Sequence, residues 1–587
     1  MAKPSQQLSV RLSLAIERAF GREYAGTDPI VRRSTQPGFD YQANVAMSLA
    51  KQVGTSPREV ASRLVEAADL SGLAESVEVA GPGFVNIRLA TDAIVSALTD
   101  TATDERLGVP AEVHPDTVVI DYSSPNGAKE MHVGHLRSTV IGDTLSRILR
   151  FLGHQVIRQN HLGDWGTQFG MLIEHLLDEG WDHEADHAIA DLDALYLAAR
   201  VRFDGDPQFA DRARQRVVAL QSGDERTLAV WHQLMAESVR HLQAVYDRMG
   251  ILLTPDDIRG ESFYNPLLPG VAGELERDRL ARIDDGALCV FAPGFKRKDG
   301  EPLPMIVRKS DGGFGYAATD LAALRFRVAE LHGTRIIYAV DARQSQHFAM
   351  LFAVGAMAGW LKEDVRAEHV AFGAVLGPGR RPFQTRSGET VKLADLLDEA
   401  ETRALAVVAE KAPDLPPEER AVVARAVGIG AVKYADLAND RVKDYVFEWD
   451  RMLAMDGNTA PYLQYAHARI RSIFRRAELG EGEGGGTGAP VEFSAGTVQE
   501  PAERALALQL LSLDEAVGAV GESLQPHRLC TYLFELASLF TAFYEQCPVL
   551  RADTEAQRAD RLALCALTAR VLSCGLDLLG IDAPDRM

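Results

Sequence analysis

The chain has 587 residues, of which 46% are hydrophobic and 25% charged, so it can form several cores and predicts about four domains of roughly 150 residues each. Its formal net charge of -21 argues against nucleic-acid binding over the whole surface, and no apolar run approaches the length of about 18 residues that a membrane span needs. Arg and Glu interrupt the N-terminus MAKPSQQLSVRLSLAIERAF where a signal peptide would be continuously apolar, and we therefore expect a soluble cytoplasmic protein.

The first predicted domain, residues 1–112, is small and of the α+β type. Leu8, Val10 and Leu12 alternate as in a strand before the apolar residues take up helical spacing. The stretch 39–70 predicts two helices separated at residues 54–57, with Ser56 as a cap and Pro57 as the first helical residue. GPGFVNIRL at 81–89 predicts a turn followed by a strand.

A short strand, TVVID at 117–121, leads through the polar loop SSPNG into an amphipathic helix that should stop at Gly153. At the head of this helix, His132 and His135 lie three residues apart and share one face. Gly134 leaves space for a ligand, and free N–H groups at a helix N-terminus favour a polyphosphate. The alternative is that the two histidines are an accidental exposed pair.

A second strand near 155–159 and the helix GMLIEHLLDEG complete a βαβ unit of the Rossmann type, whose site belongs at the carboxyl ends of its strands. Polar helices and a β-rich region at about 178–305 predict an insertion, after which strands resume at 336–342 and 369–377. From residue 401 the chain is predicted to be helical, with a glycine-rich surface loop at 481–490. The expected fold is an α/β multidomain protein with a Rossmann-type parallel-sheet domain (113–400), a small α+β N-terminal domain (1–112) and an all-α C-terminal helical bundle (401–587).

Two features of composition are local. Five scattered cysteines without a CxxC pair indicate neither a zinc site nor a disulfide framework, and we expect them to be buried apolar residues. Basic clusters at 32–33 and 467–476 suit RNA binding at chosen places on an acidic surface, although each could equally be a solvated face.

The loop SSPNGAKEMHVGHLRST resembles the signature loop of class I aminoacyl-tRNA synthetases, with HVGH as a version of their HIGH motif. The sequence of this loop is most similar to that of arginyl-tRNA synthetases. Further blocks similar to this family follow in the same order: HLGDWGTQFG, VRKSDGGFGYAATDLAALRFR, DARQSQHF and NTAPYLQYAHARIRSIFRRA. The resemblance covers nearly the whole chain. It implies an arginine–tRNA ligase that activates L-arginine with ATP and transfers it to the terminal adenosine of tRNA(Arg), with Mg2+ accompanying ATP and without zinc. The alternatives are another class I specificity and a tRNA-binding paralogue without catalysis.

The resemblance also implies where ATP binds and which residues act on it. The second class I signature, KMSK, is degenerate here: the aligned loop 383–388 reads FQTRSG and keeps only the charge of Arg386. We therefore predict that Lys129, just ahead of HVGH, supplies the missing cation, although an exposed loop lysine is the simpler alternative. The predicted catalytic residues are Lys129, His132, His135 and Arg386. The predicted ATP contacts are His132, Gly134, His135, Gly163, Asp164, Gln384 and Thr385.

Arginine must be distinguished from lysine, and a fixed carboxylate does this because it accepts two hydrogen bonds from the planar guanidinium. By the resemblance, Asp320, Tyr316 and Gln344 read the arginine side chain, while Asn126 and Asp121 hold its amino and carboxylate groups. Asp320 could instead be a first-turn acid that the helix dipole favours.

The partners implied are tRNA(Arg), L-arginine and ATP, with no DNA and no membrane, and a monomer is expected because nothing in the sequence requires a dimer. Unpaired tRNA bases are read by aromatic stacking and polar edges. The predicted tRNA contacts are Phe84 and Asn86 in the N-terminal domain and Tyr462, Tyr465, Tyr544 and Met587 in the C-terminal domain. The alternative is that these aromatic residues belong to the core, which for a lone aromatic such as Phe84 is the simpler interpretation.

Overall fold

The computed structural model describes residues 3–181, 192–383, 391–477, 493–494 and 496–587. The N-terminal region is a four-stranded antiparallel sheet with helices packed against it, in the strand order β1-β2-β4-β3. Its elements are α1 (Pro4–Phe20), β1 (Val31–Arg33), β2 (Tyr41–Ala43), α2 (Ala46–Val53), α3 (Pro57–Ala67), β3 (Ala74–Ala80), β4 (Phe84–Leu89) and α4 (Thr91–Thr103).

Two local predictions for this region have different outcomes. The cap is confirmed, because Ser56 Oγ accepts a hydrogen bond from the Glu59 amide over 3.2 Å and Pro57 begins α3. The strand suggested by the alternation at residues 8–12 is wrong. These residues belong to α1, where Leu8 and Leu12 lie one helical turn apart in the core while Val10 faces outward.

The first half of the Rossmann unit follows the predicted order. Its elements are β5 (Thr117–Asp121), α5 (Val133–Phe151), β6 (Gln155–Gln159) and α6 (Thr167–Asp178). Gly153, with φ of +96°, lies just beyond α5 as expected for a helix stop. Helix α5 packs very close to the polypeptide after β5, since a Cβ atom on Gly142 would come within 2.2 Å of the Tyr122 side chain.

The insertion consists of helices followed by a small antiparallel sheet, as predicted. Its elements are α7 (Leu192–Gly205), α8 (Pro207–Ser222), α9 (Glu225–Met249), α10 (Glu261–Tyr264), α11 (Leu268–Arg277), β7 (Ala281–Asp284), β8 (Ala287–Val290) and β9 (Met305–Arg308). Helix α9 is the longest of these and ends before Gly250, which adopts the left-handed backbone conformation.

The second half of the unit completes a four-stranded parallel sheet in the order β11-β10-β5-β6. Its elements are α12 (Tyr316–Ala329), β10 (Arg335–Tyr338), α13 (Ser345–Met357) and β11 (Arg366–His369). The single strand predicted at 369–377 is wrong: β11 ends at His369, and β12 (Val375–Gly377) belongs to a separate small sheet with β13 (Arg381–Pro382).

Beyond residue 390, the residues that the structure describes are mainly helical, as predicted, with one short strand that pairs with β12. Its elements are α14 (Leu393–Lys411), α15 (Pro417–Leu437), β14 (Tyr445–Val446), α16 (Trp449–Met452), α17 (Ala460–Arg476), α18 (Pro501–Leu510), α19 (Leu513–Ser523), α20 (His527–Gln546) and α21 (Glu555–Leu578). The predicted domain boundary at residue 400 falls inside α14, and the boundary itself stays a prediction. The glycine-rich loop at 481–490 lies outside the described residues.

Buried ion pairs join the three regions. Arg504 of α18 donates to both carboxylate oxygens of Asp40 over 3.0 and 2.6 Å, which docks the N-terminal region on the helical one. Arg137 of α5 donates to Asp436 of α15 over 3.0 Å with both side chains buried. The helix that carries the HVGH motif is therefore linked directly to the helical region.

Four of the five cysteines are buried, as expected for apolar fillers, and the fifth, Cys574, is half-buried. Among the helices of the described residues, none has both the length and the apolar character required to cross a bilayer.

Candidate active site

The loops that follow β5 and β6 run side by side at the carboxyl edge of the parallel sheet. The Gly127 amide donates to the Gly163 carbonyl over 2.9 Å, and the Gly163 amide donates to the Pro125 carbonyl over 3.0 Å. The blocks SSPNG and HLGDWG, which are separate in the sequence, therefore form one surface. It lies at the carboxyl ends of the strands, where ligands bind in α/β sheets.

The two histidines of HVGH form a close, tilted pair of rings at the start of α5. Their ring centroids lie 3.9 Å apart with an interplanar angle of 31°. His132 Nδ1 accepts from the Gly134 amide over 3.0 Å, and His135 Nδ1 accepts from the His132 amide over 3.1 Å. Each ring thus uses Nδ1 to cap the helix, and Nε2 is the remaining ring nitrogen that can address a ligand.

These contacts change the expected source of phosphate binding. The amides of residues 132–135 are all engaged within the chain, since the Val133 amide donates to the Val391 carbonyl and the His135 amide donates to the His132 carbonyl. The sequence predicted free N–H groups at this helix end, and for these four amides that prediction is wrong. A Cβ atom on Gly134 would lie 2.7 Å from the His132 ring, so this glycine makes room for an imidazole.

Both rings are held neutral. Burial lowers the pKa of His132, and the neighbouring Lys129 charge lowers it further. Burial lowers the pKa of His135 to about 3, with the adjacent His132 as the next cause. Near neutral pH the pair therefore offers hydrogen bonds to a ligand without adding positive charge.

Lys129 lies in the same loop as Asn126, whose carbonyl accepts a hydrogen bond from the Lys129 amide over 3.3 Å. The Lys129 ammonium is seated on the ring of Tyr196 from α7, with Nζ 4.1 Å from the ring centroid. It is a cation next to HVGH, as predicted, but the aromatic contact with the insertion was not foreseen.

A second lysine near HVGH was missed by the sequence reasoning. Lys392 Nζ forms ion pairs with Glu130 over 3.1 Å and Asp193 over 3.2 Å. These carboxylates raise the pKa of Lys392 although partial burial opposes them. The signal available in the sequence was its place shortly after the degenerate second signature.

Gln384, Thr385 and Arg386, three of the predicted ATP or catalytic residues, lie outside the described residues. The next described residues begin at 391 and bond to the segment around HVGH: the Leu393 amide donates to the Met131 carbonyl over 2.9 Å. Residues 391–393 thus lie against the loop that leads into α5.

Asp164 is engaged inside the chain. It is buried, its carboxylate accepts a hydrogen bond from the Ser262 amide over 2.8 Å and another from the Ser262 hydroxyl, and burial raises its pKa. This carboxylate attaches α10 of the insertion to the loop after β6, and the ATP contact expected of Asp164 stays a prediction. Gly163 keeps its place beside Asn126.

Asp121 is also already engaged. Its Oδ2 accepts from Arg327 over 2.7 Å and its Oδ1 accepts from the Ser124 hydroxyl over 2.7 Å, while Arg327 also donates to Gln159 over 2.6 Å. Both carboxylate oxygens of Asp121 thus have partners inside the chain, and the side chain holds Arg327 and, through it, α12. The contact of Asp121 with the amino or carboxylate group of arginine stays a prediction.

The first turns of α12 present the predicted arginine readers. Tyr316 begins the helix and is largely exposed, and Asp320 lies one turn later. Asp320 Oδ2 lies 2.6 Å from Nε2 of His347 in α13, which raises the pKa of that imidazole, and the exposed Gln344 immediately precedes α13. The structure thus brings the three residues to the paired starts of two neighbouring helices.

Glu261, at the start of α10, was missed by the sequence reasoning. Burial raises the pKa of its carboxyl to about 7, and the nearby charges of Asp164 and Asp320 raise it further. Because α10 packs against α12, the Asp320 charge acts on the Glu261 carboxyl, and like charges held together favour binding of a cation. No motif pointed to Glu261, which belongs to the insertion.

The family models match the chain in three blocks. "tRNA synthetases class I (R), catalytic domain" matches residues 97–449, "Arginyl tRNA synthetase N terminal domain" matches 6–89, and "DALR anticodon binding domain" matches 463–587. The first block alone covers more than half of the chain. The chain belongs to the arginyl-tRNA synthetase family.

Relatives and solved structures support the same assignment. The chain is 53% identical to an arginine–tRNA ligase of Thermobifida fusca and 50% identical to one of Synechococcus elongatus, each comparison covering 100% of both chains. The crystal structure of the arginyl-tRNA synthetase from Plasmodium falciparum superposes with a TM-score of 0.85 at 28% identity and covers 100% of both chains. The Thermus thermophilus arginyl-tRNA synthetase gives 0.81 at 28% identity, covering 99% of this chain and 100% of that one.

The predicted tRNA contacts of this arginyl-tRNA synthetase in the N-terminal domain lie on β4. Phe84 is half-buried and is not part of the hydrophobic core, whose β4 members are Val85, Ile87 and Leu89. Asn86 is only 2% exposed, and its Oδ1 accepts from Gln42 Nε2 over 2.7 Å. The ring of Phe84 is thus partly accessible to a partner, whereas the side chain of Asn86 is buried and bonded to the neighbouring strand β2.

In the DALR region, helices α17 and α20 bring the predicted aromatic residues together. Tyr465 is 43% exposed, and Tyr462 packs on Phe534 with 5.8 Å between ring centroids. Arg469 lies over the ring of Tyr544 at 4.2 Å. The terminal Met587 is partly buried against the core. Tyr465 is the most accessible of the four predicted contacts, while Tyr462 also takes part in packing.

Proposed function

We propose that the carboxyl edge of the parallel sheet is where this arginyl-tRNA synthetase performs amino-acid activation. As a member of its family, the chain uses ATP to convert L-arginine to arginyl-adenylate and pyrophosphate, and then transfers arginine to the terminal adenosine of tRNA(Arg). The observation that supports this placement is the close, neutral His132–His135 pair at the head of α5, next to the loop that follows β5.

The chemistry needs no covalent enzyme intermediate. The arginine carboxylate attacks the α-phosphorus of ATP, the bond to the bridging oxygen breaks, and pyrophosphate leaves. The terminal hydroxyl of tRNA then attacks the activated carbonyl and AMP leaves. The protein must therefore hold two anions together and stabilise charge that shifts along the phosphates.

The residues of the HVGH loop suit the phosphate side of this task. We assign His132 and His135 to hydrogen bonds from Nε2 to ATP phosphates, since their Nδ1 atoms are occupied by the helix cap. Lys129 and Arg386 are assigned the cationic roles, and Gly134, Gly163, Gln384 and Thr385 the remaining nucleotide contacts. Mg2+ is proposed to arrive with ATP, bound largely by phosphate oxygens and water.

The arginine side of the site is proposed at α10, α12 and α13. Asp320 accepts hydrogen bonds from the guanidinium, with Tyr316 and Gln344 beside it, and Glu261 contributes a second carboxylate. Asn126 holds the amino-acid backbone groups from the loop after β5. Two neighbouring acids favour a delocalised guanidinium, which offers more donors in a plane than a lysine ammonium does.

For tRNA we propose stacking of bases on Phe84 and Tyr465, with Tyr462, Tyr544 and Met587 completing the anticodon pocket. Because its substrate is tRNA, we place the enzyme in the cytoplasm, where translation uses that product. Since nothing in the sequence requires a dimer, we propose a monomer without a DNA or membrane partner.

The specificity assignment is tested by aminoacylation and by pyrophosphate exchange with a panel of amino acids, both in the presence of tRNA(Arg). Asp320→Asn should raise the arginine KM by roughly 10- to 150-fold while the ATP KM stays unchanged, because a charge-assisted bond of about 1.5–3 kcal/mol is lost. Glu330→Gln, an exposed acid just beyond the other end of α12, is the matched control. An unchanged arginine KM in Asp320→Asn would refute this role.

A further inference from the structure

The loop after β5 has an unusual backbone. Ser123 and Ser124 have φ values of +68° and +45°, a left-handed conformation that L residues other than glycine rarely adopt. Ser124 also precedes Pro125, and the residue before a proline favours extended backbone. Two such residues in succession persist only where the surroundings hold them.

The surroundings do so through hydrogen bonds from several elements. The Ser123 amide donates to Ser138 Oγ over 2.9 Å, and the Ser124 amide donates to Asn160 Oδ1 over 3.0 Å. Ser123 Oγ lies 2.8 Å from the hydroxyl of Tyr246, which also accepts from Asn160 Nδ2 over 3.0 Å. Tyr246 therefore contacts both the strained residue and the side chain that supports the next one.

Tyr246 comes from α9 of the insertion and is 2% exposed. Two turns earlier on the same helix, the buried hydroxyl of Ser238 donates to the carbonyl of Gly127. One insertion helix thus holds the loop at both ends, and Asn126 lies between the two attachment points.

The network also reaches the HVGH motif. Ser123 Oγ is hydrogen-bonded to Thr139 Oγ1 over 2.8 Å, and Thr139 Oγ1 donates to the His135 carbonyl over 2.8 Å. Tyr246→Phe would remove one oxygen from a continuous chain of polar groups: Asn160 Nδ2 would lose this acceptor, and Ser123 Oγ would keep only its bond to Thr139 in this network.

We propose that Tyr246 is a positioning residue for amino-acid activation: its hydroxyl holds Ser123 in the left-handed conformation and so places Asn126 for the substrate, while Ser238 fixes the far end of the loop. The proposal rests on the assignment of Asn126 to arginine binding. Tyr246 acts through the loop and makes no contact with the reacting atoms.

The test uses the full-length enzyme in pyrophosphate exchange with tRNA(Arg) present. Tyr246→Phe should raise the arginine KM by roughly 5- to 20-fold, the loss expected for an unpaired buried hydrogen-bonding group, and Ser238→Ala should act in the same direction. The tRNA KM in aminoacylation should stay within about twofold, because the anticodon contacts are remote. The matched control is Tyr532→Phe, which removes another buried hydroxyl, bonded to the Gln509 carbonyl over 3.0 Å in the helical region.

An arginine KM that is unchanged in Tyr246→Phe, or raised equally in Tyr532→Phe, overturns the proposal. A second variant tests the backbone argument: Ser123→Gly combined with Tyr246→Phe should bind arginine better than Tyr246→Phe alone, because glycine adopts positive φ without strain. A double variant that is no better overturns it as well.

Asn126→Ala separates this proposal from the assignment on which it rests. A raised arginine KM in Asn126→Ala together with a normal one in Tyr246→Phe overturns only the positioning role. An unchanged arginine KM in Asn126→Ala shows instead that the assignment of Asn126 has failed.

Discussion

Arg327 donates from Nη2 to Asp121 Oδ2 over 2.7 Å, with both side chains almost wholly out of water. The pair joins α12, which carries the proposed arginine readers, to the end of β5, from which the substrate loop departs. Through Gln159, the same guanidinium also reaches the end of β6. One arginine of the enzyme therefore holds in register the elements between which the substrate arginine is proposed to bind.

Breaking this pair should be costly for stability. Arg327→Met leaves the Asp121 carboxylate buried without its partner, and the free energy of unfolding should fall by about 3–5 kcal/mol in urea titrations. Arg325→Met on the same helix breaks only a partly exposed pair with Glu274 and should cost less than about 1 kcal/mol. If adding Asp121→Asn to Arg327→Met recovers none of the loss, the buried charge is not its cause.

Lys129 is expected to matter for the chemical step rather than for folding. Lys129→Ala should slow pyrophosphate exchange by about 30- to 1,000-fold, corresponding to about 2–4 kcal/mol of transition-state stabilisation. Thermal unfolding should change little, because the ammonium is only seated on Tyr196. Lys362→Ala removes an exposed lysine elsewhere and serves as the control. Exchange at the wild-type rate in Lys129→Ala would contradict the assignment.

The raised pKa of Glu261, about 7, predicts pH-dependent arginine binding. Below that pH the carboxyl is protonated and loses its attraction for the guanidinium, so the arginine KM should rise as the pH is lowered from 8 to 6. Glu261→Gln should bind arginine weakly and show a flatter profile, whereas Glu276→Gln, an exposed acid of α11, should behave as wild type. Identical profiles for Glu261→Gln and wild type would count against the second carboxylate.

The same shift has a sign for stability. The folded state holds the Glu261 proton up to about pH 7, whereas the unfolded chain releases it near 4.5. Protonated Glu261 therefore contributes stability to the folded state at low pH, and this stability is lost as the pH rises from 4.5 to about 7. Glu261→Gln should remove the loss, as urea titrations at pH 5 and pH 8 would show.

His135 predicts the opposite trend at acid pH. Its pKa, lowered to about 3 by burial and by His132, means that the unfolded chain binds a proton near pH 6.5 while the folded chain does not. Stability should therefore decline as the pH falls from 6.5 toward 3, by up to about 1.4 kcal/mol per pH unit from this group. His135→Gln should reduce the slope measured by urea unfolding, and His114→Gln, an exposed histidine, should leave it unchanged.

Tyr465 offers a test of the anticodon pocket. Tyr465→Ala should raise the tRNA KM by roughly 5- to 150-fold, since stacking of one base is worth about 1–3 kcal/mol, and should leave the arginine KM unaltered. Leu405→Ala truncates an apolar side chain of similar exposure on α14 and is the control. A normal tRNA KM in Tyr465→Ala would remove this residue from the pocket.

Much of the architecture could be predicted from local patterns. The β5–α5–β6 order follows from a β-branched strand, a loop containing Pro125 and a helical repeat that stops at Gly153, and the structure confirms each of these elements. At Leu8, Val10 and Leu12 the alternation involves only three apolar residues, and the segment is part of helix α1. Burial against neighbouring elements outweighs so short a local pattern.

The family, the fold class and the motif residues could be read from the sequence, because they depend on residue type and spacing within short stretches. Which polar atoms already have partners inside the chain depends on how distant segments pack. Folding engages the amides of HVGH and the carboxylates of Asp164 and Asp121 inside the chain, and it brings Glu261 near Asp320 and Tyr246 against Ser123. The physical reason is that a hydrogen bond or a pKa shift depends on distances between groups far apart in the chain, and folding alone sets those distances.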